Sequence, residues 1–138
     1  MDLTSIRWTT VAACFVFSIV SGGVWFGPKT FFPAWWQAIG KSSSDQPVGT
    51  ATTWMLLMLT SLTQVLCASL LVPVVANAIG GINPTSGAIA GCFIWLGFVA
   101  PTGLANKLFA GYLKAWAIES GNHLLNFVVF GAIIGAMH

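Results

Sequence analysis

Residues 46–106 read QPVGTATTWMLLMLTSLTQVLCASLLVPVVANAIGGINPTSGAIAGCFIWLGFVAPTGLAN, which is 61 residues without a charge. A bilayer core takes about 20 residues of helix, so this stretch is too long for one crossing and comfortable for two. The break is legible in Gly80-Gly81-Ile82-Asn83-Pro84-Thr85-Ser86-Gly87, a cluster of turn formers. One helix is therefore expected over roughly 50–79 and the next over roughly 86–106. Upstream, 21 uncharged residues separate Arg7 from Lys29 and predict a helix over 8–27. Downstream, a short turn from Lys107 to Lys114 leads into a last helix over 114–137. Hydrocarbon offers no hydrogen bonds to a backbone, so these runs must be helices rather than open strands.

Composition points the same way. Charged residues make up 6% of the 138, against about 25% in a soluble domain. Hydrophobic residues make up 57%. A soluble protein of this size cannot cover its surface so, and a lipid bilayer is the expected partner. The net charge of +2 comes from scattered single residues, which gives nucleic acid no basic patch to bind. Cys14, Cys67 and Cys92 lie apart in apolar runs, which argues against a disulfide framework or a metal site. Arg7 followed by an apolar run resembles a secretory leader. However, Trp25-Phe26-Gly27-Pro28 offers no small-residue cleavage site, so a retained first helix is expected. The fold class is thus all-α, a single four-helix membrane domain over 1–138.

Tryptophans support the count. Trp8 and Trp25 bracket the first helix, Trp54 opens the second and Trp116 opens the fourth. Indoles favour the lipid–water boundary. Trp95 falls mid-helix and is expected to pack against a neighbour. Between Lys29 and Asp45, the residues Phe32, Trp35, Trp36 and Ile39 share one helical face. A short interfacial helix is expected there, acting as an anchoring foot more than as a lid.

The helix order brings four ends together: the end of helix one, the start of two, the end of three and the start of four. Unusual residues concentrate at that end. The candidate ligand-binding set is Glu119, His123, Asn122, Asn126, Asn106, Lys107, Trp54 and Pro101. Glu119 and His123 are spaced i, i+4, and so are Asn122 and Asn126. Ionisable groups inside a span are costly and usually face a partner or water, and a Glu–His pair can share a proton. The structural alternative is a wet Glu119 favoured by the helix dipole one turn in. Lys107 and Lys114 read as topology anchors. Gln64, mid-span, reads as an interhelical hydrogen bonder. Pro73 and Pro101 free the carbonyls of Ser69 and Gly97. Three G-x-x-x-G patterns, Gly23–Gly27, Gly87–Gly91 and Gly131–Gly135, permit close helix approach.

Catalytic signatures do not emerge. There is no G-x-S-x-G, H-E-x-x-H or phosphate loop. Asp2 and Asp45 are expected in flexible segments, so no carboxylate pair forms with Glu119. No enzymatic activity, cofactor or metal is expected.

Trp25-Phe26-Gly27-Pro28 with the aromatic segment after it resembles the W-[YF]-G-P signature of the bacterial membrane family known as domain of unknown function 1761. Gly97-Phe98-Val99-Ala100-Pro101-Thr102 with Asn106 is similar to its third helix. Gly121-Asn122-His123-Leu124 leading to Gly131-Ala132-Ile133-Ile134-Gly135 is similar to its last. The resemblance runs nearly the whole chain in order. The family commonly places a lysine before a first-loop tryptophan, whereas Ala34 precedes Trp35 here. The resemblance implies four membrane helices and carries no activity with it.

The expected function is a non-enzymatic, oligomeric channel, transporter or small-molecule binder, with a polar site at one end that takes a small ligand or a proton. The alternative is a structural or accessory subunit of a membrane complex. Lys29, Lys41, Lys107 and Lys114 lie on the first and third loops, against Arg7 on the other side. This bias puts both termini outside a bacterial inner membrane. Reporter fusions at residue 138 and within Ser42–Ser44 should accordingly report opposite sides, with residue 138 outside. Matching sides rule out four spans.

Overall fold

The computed structural model describes residues 6–138; Asp2 lies outside them. The described residues form helices and no strands. In chain order these are α1 (Trp8–Trp25), α2 (Phe32–Ala38), α3 (Ala51–Ala78), α4 (Pro84–Ile94), a π-helical turn (Trp95–Val99), α5 (Ala100–Leu108) and α6 (Leu113–Met137). α4, the π turn and α5 run on as one span, Pro84–Leu108. Together with α1, α3 and α6 it gives four helices long and apolar enough to cross a membrane. The short α2 sits between the first two, as the aromatic periodicity predicts.

Local chemistry sets the boundaries. Thr50 caps α3 by accepting from the Thr53 N–H at 3.2 Å. Asn83 starts α4: its side chain accepts from Thr85 and Ser86 N–H, each at 3.0 Å, and Ser86 Oγ accepts from the Asn83 N–H. With Pro84 at the first helical position this is a full capping box. The third span therefore begins at Pro84, two residues before the expected start. Half of the apparent turn cluster is a helix N-terminus, because Asn, Pro and Ser serve both. Thr30 closes α1, its Oγ1 accepting from the Gly27 N–H at 3.1 Å and facing the Trp25 carbonyl at 2.8 Å. In the loop beyond α2, Asp45 accepts from the Ser42 N–H at 2.7 Å, which holds its carboxyl below the usual range.

Pro101 has no N–H to offer Gly97 one turn back. The chain answers with the π turn, in which the Ala100 N–H bonds the Trp95 carbonyl. Pro73 is accommodated within a continuous α3.

α6 is the centre of the bundle and packs against every other helix. Of its most apolar 18-residue window 44% is buried, against 17% for α3. α1 runs antiparallel along it: Trp25 bonds Ile118, Ser21 bonds Asn122, and Arg7 bonds the Met137 carbonyl at the far end. The tightest contact is α4 on α6. Gly87 meets Gly131, Gly91 meets the Phe127 carbonyl, and Gly135 meets the Asn83 carbonyl. A Cβ on Gly131 would stand 2.6 Å from the Gly87 carbonyl carbon, and one on Gly91 would stand 2.7 Å from that of Phe127. Two of the three G-x-x-x-G patterns thus face each other within the chain. The third does not join two helices: Gly23 has open space around it, and Gly27 is crowded only by its own loop.

Gly131→Ala should cost about 2–3 kcal/mol, since the obstacle is backbone that cannot rotate away. Gly23→Ala should stay within about 0.5 kcal/mol. Thermal melts of the two variants in mild detergent make the comparison. Equal melts would refute the backbone contact.

Candidate functional site

The site is built on the first half of α6. An indole N–H buried in lipid must find an acceptor, and three find theirs on consecutive α6 residues. Trp25 at the end of α1 donates to the Ile118 carbonyl at 3.0 Å. Trp35 of α2 donates to Glu119 Oε1 at 2.7 Å. Trp95 in the π turn donates to the Ser120 carbonyl at 3.0 Å. A fourth, Trp116, donates back to the Ala100 carbonyl at 3.1 Å. Glycines make room: a Cβ on Gly121 would stand 3.1 Å from the Trp25 ring, and one on Gly103 would stand 3.3 Å from Trp116.

Glu119 is the focus. Its Oε1 also takes the Lys107 ammonium at 2.9 Å, and both side chains are about one quarter exposed (27% and 26%). Lys107 is thus more than the topology anchor that the loop count suggests. The short 109–112 connection folds α5 back on α6, bringing residue 107 to residue 119. The indole of Trp35 belongs to a cluster of rings beside the pair. Trp35 stands edge-on to Phe26 at 5.5 Å, and Phe32 stacks on Trp36 at 5.4 Å. α2 therefore reaches the ion pair through Trp35.

Deeper in the span a polar line continues along α6. His123 follows Glu119 by one turn on the same face of α6. Asn122 Nδ2 donates to Ser21 Oγ at 2.9 Å, and Asn126 Nδ2 donates to Asn122 Oδ1 at 3.2 Å. Asn122 and Asn126 are each only 6% exposed. Three polar atoms on this line are buried without a partner among the described residues: Ser120 Oγ, His123 Nδ1 and Asn126 Oδ1. From 119 to 126 the line covers ~10 Å of helix rise, reaching the middle of the span.

Of the residues named from sequence, Glu119, Lys107, His123, Asn122 and Asn126 come together. Pro101 and Asn106 are exposed, and Trp54 is 57% exposed on α3; none of them bonds the ion pair. Sequence reasoning did not include Trp35, Trp25, Trp95 or Ser21. The one available signal was that the aromatic helix attaches at the Glu119 end.

Glu119→Gln should lower stability by about 1–2 kcal/mol, because it leaves the half-buried Lys107 without a counter-charge. The double variant with Lys107→Met should recover much of that loss. A double-mutant thermal cycle measures the coupling, and additive losses would show that the pair contributes nothing.

No curated protein and no solved structure matches the chain. A family match covers residues 9–135, nearly its whole length, and takes in both the glycine contact and the Glu119 cluster. The chain belongs to the family described as Protein of unknown function (DUF1761).

Proposed function

We propose that this protein is a non-enzymatic membrane binder of a small hydrogen-bond-donating cation or a proton, held at the Glu119 end of the bundle. The observation that carries the reading is the arrangement of Glu119 itself. Trp35 and Lys107 both bond its Oε1, while one turn deeper His123 Nδ1 has no partner among the described residues. A carboxylate and an unpaired ring nitrogen on one face can share a proton or hold a donor between them. Ionisable groups within a span are expensive and tend to be functional. The aromatic cluster of Phe26, Phe32, Trp35 and Trp36, joined to Glu119 through Trp35, supplies ring faces that attract cations. Lys107 already holds an ammonium against the carboxylate and marks the group a ligand would replace.

Beyond Asn126 the central helix turns apolar, with Phe130, Ile134 and the glycine contact filling the interior. This favours a site reached from one face over a conduit through a single copy. The lysine bias puts that face in the cytoplasm and both termini outside a bacterial inner membrane. A second reading is an accessory subunit of a membrane complex, and the outward apolar face of α3 favours it.

Methylammonium chloride is the probe, chosen for its three N–H donors and small size. It should raise the melting temperature of the purified protein above that in sodium chloride at equal ionic strength. Glu119→Gln should abolish the difference. Equal melts in both salts, with pH-dye liposomes showing no Glu119-dependent proton uptake, would overturn the binder and leave the accessory reading.

A further inference from the structure

α3 carries its polar groups in two ways. Thr60, Thr63 and Ser69 donate their hydroxyls to carbonyls of their own helix, at 2.9, 2.8 and 2.9 Å. Such hydroxyls are at ease in hydrocarbon. Gln64 is different. It sits at the midpoint of α3, half-buried at the helix edge, and its amide has no hydrogen-bond partner among the described residues. At that depth neither water nor a lipid headgroup is within reach. Acyl chains offer no donor or acceptor, so a polar group on another polypeptide is the partner that suits this amide.

The surface around Gln64 indicates which one. Leu56, Thr60, Thr63, Cys67, Leu71 and Val74 form one exposed stripe along α3. Its ends are bulky and its centre is small, which is the profile that lets two helices approach closely in a membrane. Beside it, between α3 and the π turn, lies an apolar groove of about 260 Å³ that Gln64 and Cys67 help to line. Phe98 stands on its rim with 71% of its surface exposed. A recess and a projecting ring side by side make a self-complementary surface. The amide is self-complementary too, since it carries both a donor and an acceptor. Two identical amides related by a twofold axis each donate one N–H to the other's oxygen, so a second copy supplies a matching partner.

We infer that the outer face of α3 pairs with the same face of a second copy of this chain, with Gln64 against Gln64 near the twofold axis. The glycine motifs take no part, because Gly87, Gly91, Gly131 and Gly135 are already used between α4 and α6. The pairing is independent of whether the Glu119 end binds a cation.

The native Cys67 reports it. It is exposed and lies one turn beyond Gln64, whereas Cys14 is buried. In membranes of the full chain carrying Cys92→Ala, mild oxidation should yield a disulfide-linked dimer, and Cys67→Ser should abolish it. Dilution of labelled protein into liposomes, followed by energy transfer, should show Gln64→Leu associating about tenfold more weakly than wild type. Gln64→Asn, which keeps the amide, should retain part of the association. Unchanged melting temperature shows that Gln64→Leu still folds. Wild-type association by Gln64→Leu would overturn the inference. So would a monomer at all dilutions, or Cys67 linked to a different protein in place of a second copy.

Discussion

The backbone contact between α4 and α6 is the constraint on which the rest depends. Two glycines on each side of one antiparallel crossing, Gly87 and Gly91 against Gly131 and Gly135, leave no space for a Cβ. In lipid there is little hydrophobic gain from bringing helices together, so close van der Waals contact has to supply it. That contact fixes α4 along one side of α6 and leaves the remaining sides to α1 and α3. α6 becomes the interior of the bundle although its composition is no more apolar than that of its neighbours. Its polar residues are buried as a consequence of its position.

Burying a helix that carries Glu119, Ser120, Asn122, His123 and Asn126 raises a second problem, and the tryptophans bear on it. Trp25, Trp35 and Trp95 come from three different elements and end on three consecutive residues of α6. Each has an apolar ring that must be dry and an N–H that must be bonded, and only a helix with accessible acceptors meets both needs. These indoles thus register the first span, the short helix α2 and the third span on the fourth. The same bonds bring Lys107 and the aromatic helix over Glu119. Packing and the candidate site therefore have one origin.

The bundle divides across its length. The Glu119 end is polar, adjoins the aromatic cluster through Trp35 and holds three buried atoms without a partner among the described residues. The other end is apolar and closed by glycine. This asymmetry suits binding from one face. α3 stands outside the division, as the least buried helix and the one whose mid-span amide is unanswered within the chain.

The sequence by itself determined the four spans, their approximate limits and the short aromatic helix. These follow from the length of uncharged runs, the spacing of aromatics and the rule that backbone in hydrocarbon must be helical. It also determined that Glu119 and His123 share a face, since i, i+4 geometry is local. Tertiary structure alone decided which helix is central, because all four are apolar all round and none shows a preferred face. It decided that Gly87 and Gly131 meet while Gly23 meets nothing, although both belong to the same pattern. It turned Lys107 from a loop charge into the partner of Glu119, and brought Trp35 of α2 onto the same carboxylate. Pairings of residues 84 apart, such as Trp35 with Glu119, depend on how helices rotate about their own axes, and that rotation is set by contacts no single segment contains.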